Sequence, residues 1–239
     1  MLRMFITLIW LLILLSVLSV ISLFLGILSL GKLSNFIATW VGFVMGRAGL
    51  AVAGVKIRIK YHGEKPKEPA VYLFNHSSTL DLFIVVSLML PRVRFIAKKE
   101  LLFNPFFWVL AKTTGQIMID RKAIRSTHEQ LTKAYQHIRE NRMSLAFAPE
   151  GTRSRTGKIG PFKPGAFHTA IELGYPIRPI YIDGAYDLCP GKSLITRPGT
   201  VTVHIHPPID TSGWDKKSIR EQKEQIRNRY LQWNGESGV

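Results

Sequence analysis

Hydrophobic residues fall along the chain in two regimes. From residue 4 to residue 31 no charged side chain occurs, a run of 28 positions bracketed by Arg3 and Lys32 in which Leu, Ile, Val and Phe recur all round a helical wheel. At about 1.5 Å of rise per residue the run exceeds the roughly 20 residues that cross a bilayer. It outlasts the apolar core of a cleaved signal peptide, usually about 7–15 residues, and a helix apolar on every side is not the surface helix of a soluble protein. A second apolar segment, residues 36–54, is broken only by Arg47 and carries Ala38, Gly42 and Gly46 at four-residue spacing. Small residues on one stripe let two helices approach closely in lipid. A helical hairpin, or a span followed by an interfacial helix, is therefore expected over residues 1–54.

Beyond residue 54 the pattern changes to short β-rich runs alternating with amphipathic stretches. Strands are expected at 56–61, 71–74, 94–97, 116–119, 144–148, 177–182 and 201–205, and helices at 79–90, 105–112, 125–140, 165–173 and 216–233. Alternation of this kind predicts an α/β fold with a largely parallel sheet flanked by helices. The expected organisation is a membrane-anchoring helical segment over 1–54, followed by one α/β domain over 55–239. Active sites in such folds collect where strands end and helices begin.

Charge narrows the partners. Lys and Arg number 32 against 16 Asp and Glu, a net +16, and removing residues 1–54 with their three bases still leaves 29 against 16. A basic surface calls for a polyanionic partner, nucleic acid or anionic lipid. Zinc-finger spacing, an RNP-type Gly-aromatic strand and a basic-helix repeat are all missing, so the lipid surface is the expected partner and no nucleic acid. Lys32, Arg47, Lys56, Arg58 and Lys60 all follow the first apolar run, whereas Arg3 precedes it, so the positive-inside rule places the domain in the cytoplasm. A lone cysteine, Cys189, excludes a disulfide framework and a cysteine zinc cluster.

The first strand-to-helix junction reads Asn75-His76-Ser77-Ser78-Thr79-Leu80-Asp81. On a regular helix His76 and Asp81 would stand about 140° apart. They can cooperate only if His76 precedes the helix, which Ser77 and Ser78 would start by capping. Asp81 would then fix the tautomer of His76 and stabilise its protonated form, as general-base catalysis requires. A plain capping arrangement, Ser78-x-x-Asp81, accounts for the same residues.

A second junction reads Ala148-Pro149-Glu150-Gly151-Thr152-Arg153-Ser154-Arg155. Gly151 permits a tight turn, Thr152 and the backbone amides offer donors, and Arg153 with Arg155 can grip phosphate. Lys158 and Lys163 extend the basic loop. A third junction, Gly115-Gln116-Ile117-Met118-Ile119-Asp120-Arg121, ends a strand in an acid and a base.

In order and spacing, these three junctions and the later block Tyr175-Pro176-Ile177-Arg178-Pro179-Ile180 resemble the glycerolipid acyltransferase family, above all its bacterial lysophosphatidate-acylating members. The resemblance implies transfer of an acyl chain from acyl-CoA or acyl-carrier protein to the free hydroxyl of lysophosphatidic acid, forming phosphatidic acid at the inner membrane. It implies His76 as general base, Asp81 as its orienting partner, and Glu150, Gly151, Thr152 and Arg153 as the binding site for the acceptor's glycerol phosphate, with Arg121 and Lys163 adding charge. No metal and no cofactor beyond the thioester co-substrate is implied. An acceptor such as glycerol 3-phosphate or another lyso-lipid is the alternative within the family, and a catalytically silent lipid-binding protein the alternative outside it. Ala148 and Arg178 depart from the family pattern, which usually has Phe and an aliphatic residue there.

Other candidates are weaker. His204 and His206 share one face of a strand but lack a visible third ligand for a metal. Gly191-Lys192-Ser193 ends like a P-loop, but Tyr186 stands where the first Gly belongs. Phe106, Phe107, Trp108 and Leu110, at helical spacing, are expected in the core, with a membrane-facing or acyl-binding wall as the alternative.

Overall fold

Val71, Tyr72, Leu73 and Phe74 are buried on both faces, as a central strand covered by helices on both sides must be. Around this strand the computed structural model builds a seven-stranded sheet flanked by helices; it describes residues 2–119, 124–191, 193 and 195–236. Two long helices come first, α1 (Leu2–Leu28) and α2 (Ser34–Ala53). Then follow β1 (Val55–Tyr61), β2 (Val71–Phe74), α3 (Leu80–Val86), β3 (Val93–Lys98), α4 (Pro105–Thr114), β4 (Ile117–Ile119), α5 (Ile124–Glu140) and β5 (Ser144–Phe147). The chain continues through α6 (Gly165–Leu173), β6 (Ile177–Asp183), α7 (Ala185–Leu188), β7 (Gly199–Ile205) and α8 (Ile219–Trp233).

Across the sheet the order is β1-β7-β6-β2-β5-β3-β4. Every neighbouring pair runs parallel except β6 with β7. The largely parallel α/β architecture expected from the alternating pattern is therefore present.

Strand alternation divides the core in two. Tyr72, Phe74, Ala146, Ile180 and Ile182 pack with Leu80 and Ile84 of α3 and with Leu50 and Ala53 of α2. Val71, Leu73, Leu145 and Tyr181 pack with Ile138 of α5, Phe167 of α6 and Tyr230 of α8. Phe147, the last residue of β5, and Ala148, just beyond it, fall to opposite clusters.

Two local expectations change. The helix after β2 stops at Val86 rather than at residue 90, because Leu90 precedes Pro91, which disfavours helical geometry, and Met89 has already turned to a positive φ of 51°. The small-residue stripe of α2 faces α3 and not α1. A Cβ on Gly46 would lie 2.5 Å from the Phe83 carbonyl oxygen, and one on Gly49 would lie 2.6 Å from the Phe83 ring. α1 instead packs through Leu14, Leu18 and Leu25 on Ile37 and Val41 of α2 and Leu110 of α4. Its other side leaves Val20, Phe24, Ile27 and Leu28 exposed. By length and composition α2 is able to cross a membrane.

Candidate active site

The site forms where the loops after β2 and β5 meet. Both strands end at the same edge because they pair in parallel, Leu73 opposite Phe147. Asn75 closes the end of β2 against β6, donating from Nδ2 to the Ile182 carbonyl at 2.9 Å and accepting at Oδ1 from the Ile182 amide at 2.7 Å. The chain then leaves the sheet at His76, before the helix begins.

His76 Nδ1 lies 2.8 Å from Asp81 Oδ2. The same oxygen accepts the Ser77 and Ser78 amides, each at 2.8 Å, while Ser78 Oγ accepts the Leu80 amide at 3.1 Å. The N-cap of α3 is Thr79, without a side-chain cap bond, and not Ser77 or Ser78 as expected; the Asp81 carboxylate instead gathers the two amides just before the helix and the imidazole on one oxygen. Asp81 is fully buried, and its Oδ1 has no hydrogen-bond partner among the described residues. Burial pushes its carboxyl above the ordinary value, opposed by the bonds from His76, Ser78 and Ser77. Three donors converging on one oxygen is an arrangement that an ionised carboxylate satisfies. With Nδ1 engaged, Nε2 is the nitrogen left for proton transfer, and the His76 side chain is 25% exposed.

The backbone of His76 is clamped by the loop after β5. Its amide donates to Glu150 Oε1 at 2.9 Å and its carbonyl accepts the Ser154 amide at 2.7 Å. Glu150, expected on the acceptor phosphate, is buried with its second oxygen taking the Gly160 amide at 2.9 Å. Both carboxylate oxygens are engaged by protein amides, so Glu150 ties the His76 backbone to the Gly160 segment. Burial raises its pKa, offset by the His76 and Gly160 amides.

Gly151 has φ +70°, and a Cβ there would fall 2.6 Å from Lys163 Nζ, so this glycine lets the exposed lysine lie across the loop. Thr152 is exposed beside it. Arg153 Nη1 donates to Thr79 Oγ1 at 2.6 Å and reaches the Gly191 carbonyl at 3.4 Å. Thr79 in turn donates to the Ser193 carbonyl at 2.9 Å. Arg121 lies outside the described residues. The structure therefore brings together His76, Asp81, Glu150, Gly151, Arg153 and Lys163, and adds Asn75, Thr79 and Gly160, whose partners lie too far away in sequence for spacing to reveal.

A cleft of about 210 Å³ opens between α2, α3, β3 and α4, lined among others by Met45, Leu82, Val86, Phe95, Phe107 and Leu110. Leu82 directly follows Asp81 on α3, so one short helix serves both the cleft and the His–Asp pair. The aromatic stripe of α4 is not core as expected. α4 buries its small residues, Ala111 and Thr114, and leaves Phe107 and Trp108 exposed.

The remaining candidates resolve differently. Gly191 donates its amide to the Ser77 carbonyl at 2.9 Å, stitching its loop to the site instead of cradling phosphate. Cys189 is fully buried, its Sγ donates to the Ser193 carbonyl at 3.2 Å, and burial pushes its pKa up, the reverse of an activated nucleophile. His204 and His206 gain a neighbour in His62, whose Nε2 lies 2.8 Å from His204 Nδ1 and whose ring stacks on His206 at 4.5 Å. Among the described residues no group of three or more His, Cys, Asp or Glu is disposed to hold a metal ion. Arg178 is buried in the sheet and donates to the Glu64 carbonyl at 2.8 Å.

Residues 58–183 match the family model for Acyltransferase. The chain is 33% identical over 189 residues to a 1-acyl-sn-glycerol-3-phosphate acyltransferase of Haemophilus influenzae, a match covering 78% of this chain and 75% of that one. The chain belongs to the acyltransferase family. Namesakes from Escherichia coli, 36% identical over 152 residues, and Cocos nucifera, 33% over 190 residues, are covered over 61% of their own length and cover 64% and 80% of this chain. The fold of this acyltransferase-family chain is shared with a 1-acyl-sn-glycerophosphate (LPA) acyltransferase from Thermotoga maritima, with a TM-score of 0.69 at 22% identity over 92% of this chain and 95% of that one.

Proposed function

We propose that this chain transfers an acyl group from acyl-CoA or acyl-carrier protein to the free hydroxyl of lysophosphatidic acid, yielding phosphatidic acid and a free thiol. The observation that carries this reading is the 2.8 Å bond from His76 Nδ1 to Asp81 Oδ2 in a chain of this family. Asp81 holds the tautomer with the proton on Nδ1, so Nε2 is basic and takes the hydroxyl proton as the oxygen attacks the thioester carbonyl. The C–O bond forms, the C–S bond breaks, and the imidazolium returns its proton to the departing thiolate. Asp81 stabilises the charge His76 carries between those steps. A thioester is already activated, so alignment and proton transfer suffice without a covalent intermediate.

Acceptor phosphate is held by the cations of the second junction. Lys163 beside Gly151 and the guanidinium of Arg153 supply charge, Thr152 and the loop amides supply donors, and Arg121 completes the set. Glu150 acts on this reading as a positioning residue for His76. The apolar cleft takes the acyl chain, since its lining offers dispersion contacts and little to hydrogen-bond.

The exposed apolar side of α1, with Phe36 and Trp40 of α2 and Phe107 and Trp108 of α4, rests in the bilayer from which the acceptor is drawn. Residues 1–54 serve as the anchor, and the basic domain over 55–239 faces the cytoplasmic side of the inner membrane.

Thiol release by detergent-purified protein, with each thioester donor and with lysophosphatidic acid present or absent, tests the proposal beside His76→Ala. Acceptor-dependent turnover that vanishes in the variant is expected. Turnover that persists in the variant would remove His76 as base, and acylation of a phosphate-free acceptor at equal rate would remove the acceptor assignment.

A further inference from the structure

Residues 159–160 lie outside any helix or strand, yet all four of their backbone polar groups are bonded to charged side chains. The Ile159 amide donates to Glu236 Oε1 at 2.9 Å and its carbonyl accepts from Arg227 Nη2 at 3.4 Å. The Gly160 amide donates to Glu150 Oε2 at 2.9 Å and its carbonyl accepts from Arg227 Nε at 3.0 Å. Arg227 and Glu236 come from α8 and the segment after it, whereas Glu150 comes from the loop beside His76.

The peptide joining Ile159 to Gly160 is where these groups meet. Arg227 acts on its carbonyl and Glu150 on its N–H, and a cationic donor at the oxygen polarises the peptide and strengthens the bond its N–H makes. Glu150 passes the constraint on, because its other oxygen holds the His76 amide. A Cβ on Gly160 would lie 3.1 Å from Glu150 Oε2, tight enough to make the carboxylate shift by a few tenths of an ångström. The reference frame is shared as well: Tyr230, three residues after Arg227 on α8, donates to the Leu73 carbonyl at 2.7 Å on the strand that leads into His76.

We infer that Arg227 is a positioning residue of the acyl-transfer centre, fixing His76 Nε2 through the Ile159–Gly160 peptide and Glu150; this rests on the proposed function. Three variants, at Glu224 and at Arg227 itself, separate the possibilities. Glu224 Oε2 lies 3.7 Å from Arg227 Nη1 and its Oε1 lies 3.1 Å from Lys223 Nζ, so Glu224→Gln removes these two surface ion pairs and leaves the Arg227 bonds to residues 159–160 in place. Arg227→Met removes the brace, and Arg227→Lys keeps the charge but loses the paired donors.

The experiment measures kcat and acceptor KM against pH for each variant, together with the substrate-free titration of the His76 imidazole by NMR, assigned by its loss in His76→Ala. Arg227→Met should lower kcat about tenfold or more with acceptor KM within about twofold, and should move the His76 titration. Arg227→Lys should recover part of both, and Glu224→Gln should match wild type. Wild-type kcat and His76 titration in Arg227→Met would overturn the inference. So would a loss with an unmoved titration that lysine does not relieve. Should Arg227→Met not fold, Arg227→Lys decides alone, and wild-type values in both readouts would overturn the inference. Absence of wild-type turnover on lysophosphatidic acid would fell the proposed function, while the titration, read without substrate, would still decide the brace.

Discussion

Replacing Asp81 by Asn separates the charge of this residue from its geometry. The Ser77 and Ser78 amides both point at Oδ2 at 2.8 Å, so whichever side-chain atom sits there must accept hydrogen bonds. The asparagine oxygen is forced into that seat and its NH2 into the place of Oδ1, which has no partner among the described residues. His76 Nδ1–H then still meets an oxygen, and the tautomer with a basic Nε2 survives. What is lost is the charge-assisted part of the bond and the stabilisation of the imidazolium, worth about 1.5–3 kcal/mol. That corresponds to a fall in kcat of about 10- to 100-fold, well short of the roughly 10⁴ that a wrong tautomer costs in a hydrolase triad. Stability should fall too, by about 1–3 kcal/mol, for an amide NH2 left buried without an acceptor. Steady-state thiol release from folded Asp81→Asn protein, with its melting temperature measured alongside, checks both figures. A kcat loss near 10⁴ would mean that the amide had turned over despite the two backbone donors. An unchanged kcat would mean that the charge of Asp81 plays no part in the rate.

Three further outcomes are expected. Gly151→Ala places a Cβ where φ is +70° and where Lys163 Nζ now lies, so acceptor KM should rise more than kcat falls, with about 1–2 kcal/mol lost from stability; equal KM values would show that Lys163 does not serve the acceptor. Val86→Phe fills part of the cleft between α2 and α4, and competition among acyl thioesters of graded length should shift toward shorter chains; an unchanged preference would place the acyl chain elsewhere. His206, stacked 3.7 Å from the Trp233 ring, has its pKa pushed down to about 4 by burial and then by His62, His204 and Arg229. The unfolded chain binds that proton near 6.5, so stability should be full above about that pH and decline as pH falls through the window toward 4. Denaturant midpoints across this range should flatten in His206→Phe, and an equally steep decline in that variant would assign the effect to other groups.

The alternation of strands and helices was readable because its period is local. Boundaries at Val71, Phe74, Gly165 and Leu173 stand as expected, for each is marked by neighbours in sequence. The four-residue α7 was missed since it is too short for any apolar period to form. The His76–Asp81 pair was visible from one junction, with five residues between cause and effect. Glu150 entered through the family resemblance alone: its bonds to the His76 amide, 74 positions away, and to the Gly160 amide are ones that no local spacing announces. The partner of the α2 glycine stripe was hidden for the same reason, because small residues announce a close approach without naming what approaches. The aromatic residues of α4 mislead in the opposite sense, since helical spacing marks a face and does not say whether protein or lipid covers it.

The position of β1 bears on how the molecule is made. Its ladder partner in the sheet is β7, with Val55 opposite Gly199, so the strand next to the two apolar helices waits for a segment 144 residues downstream. At roughly 5–20 residues per second, a translating ribosome needs about 7–30 s to supply it. Throughout that interval β1 presents a bare hydrogen-bonding edge, the kind on which chains aggregate. Lys56, Arg58 and Lys60 stand at alternate, exposed positions along it, in a strand whose other residues are apolar. Three like charges in a row repel a second nascent copy while leaving the apolar face free for its late partner. A chain ending before residue 199 would lack β7 and α8, leaving its sheet unclosed and β1 with those three cations to keep it from its neighbours.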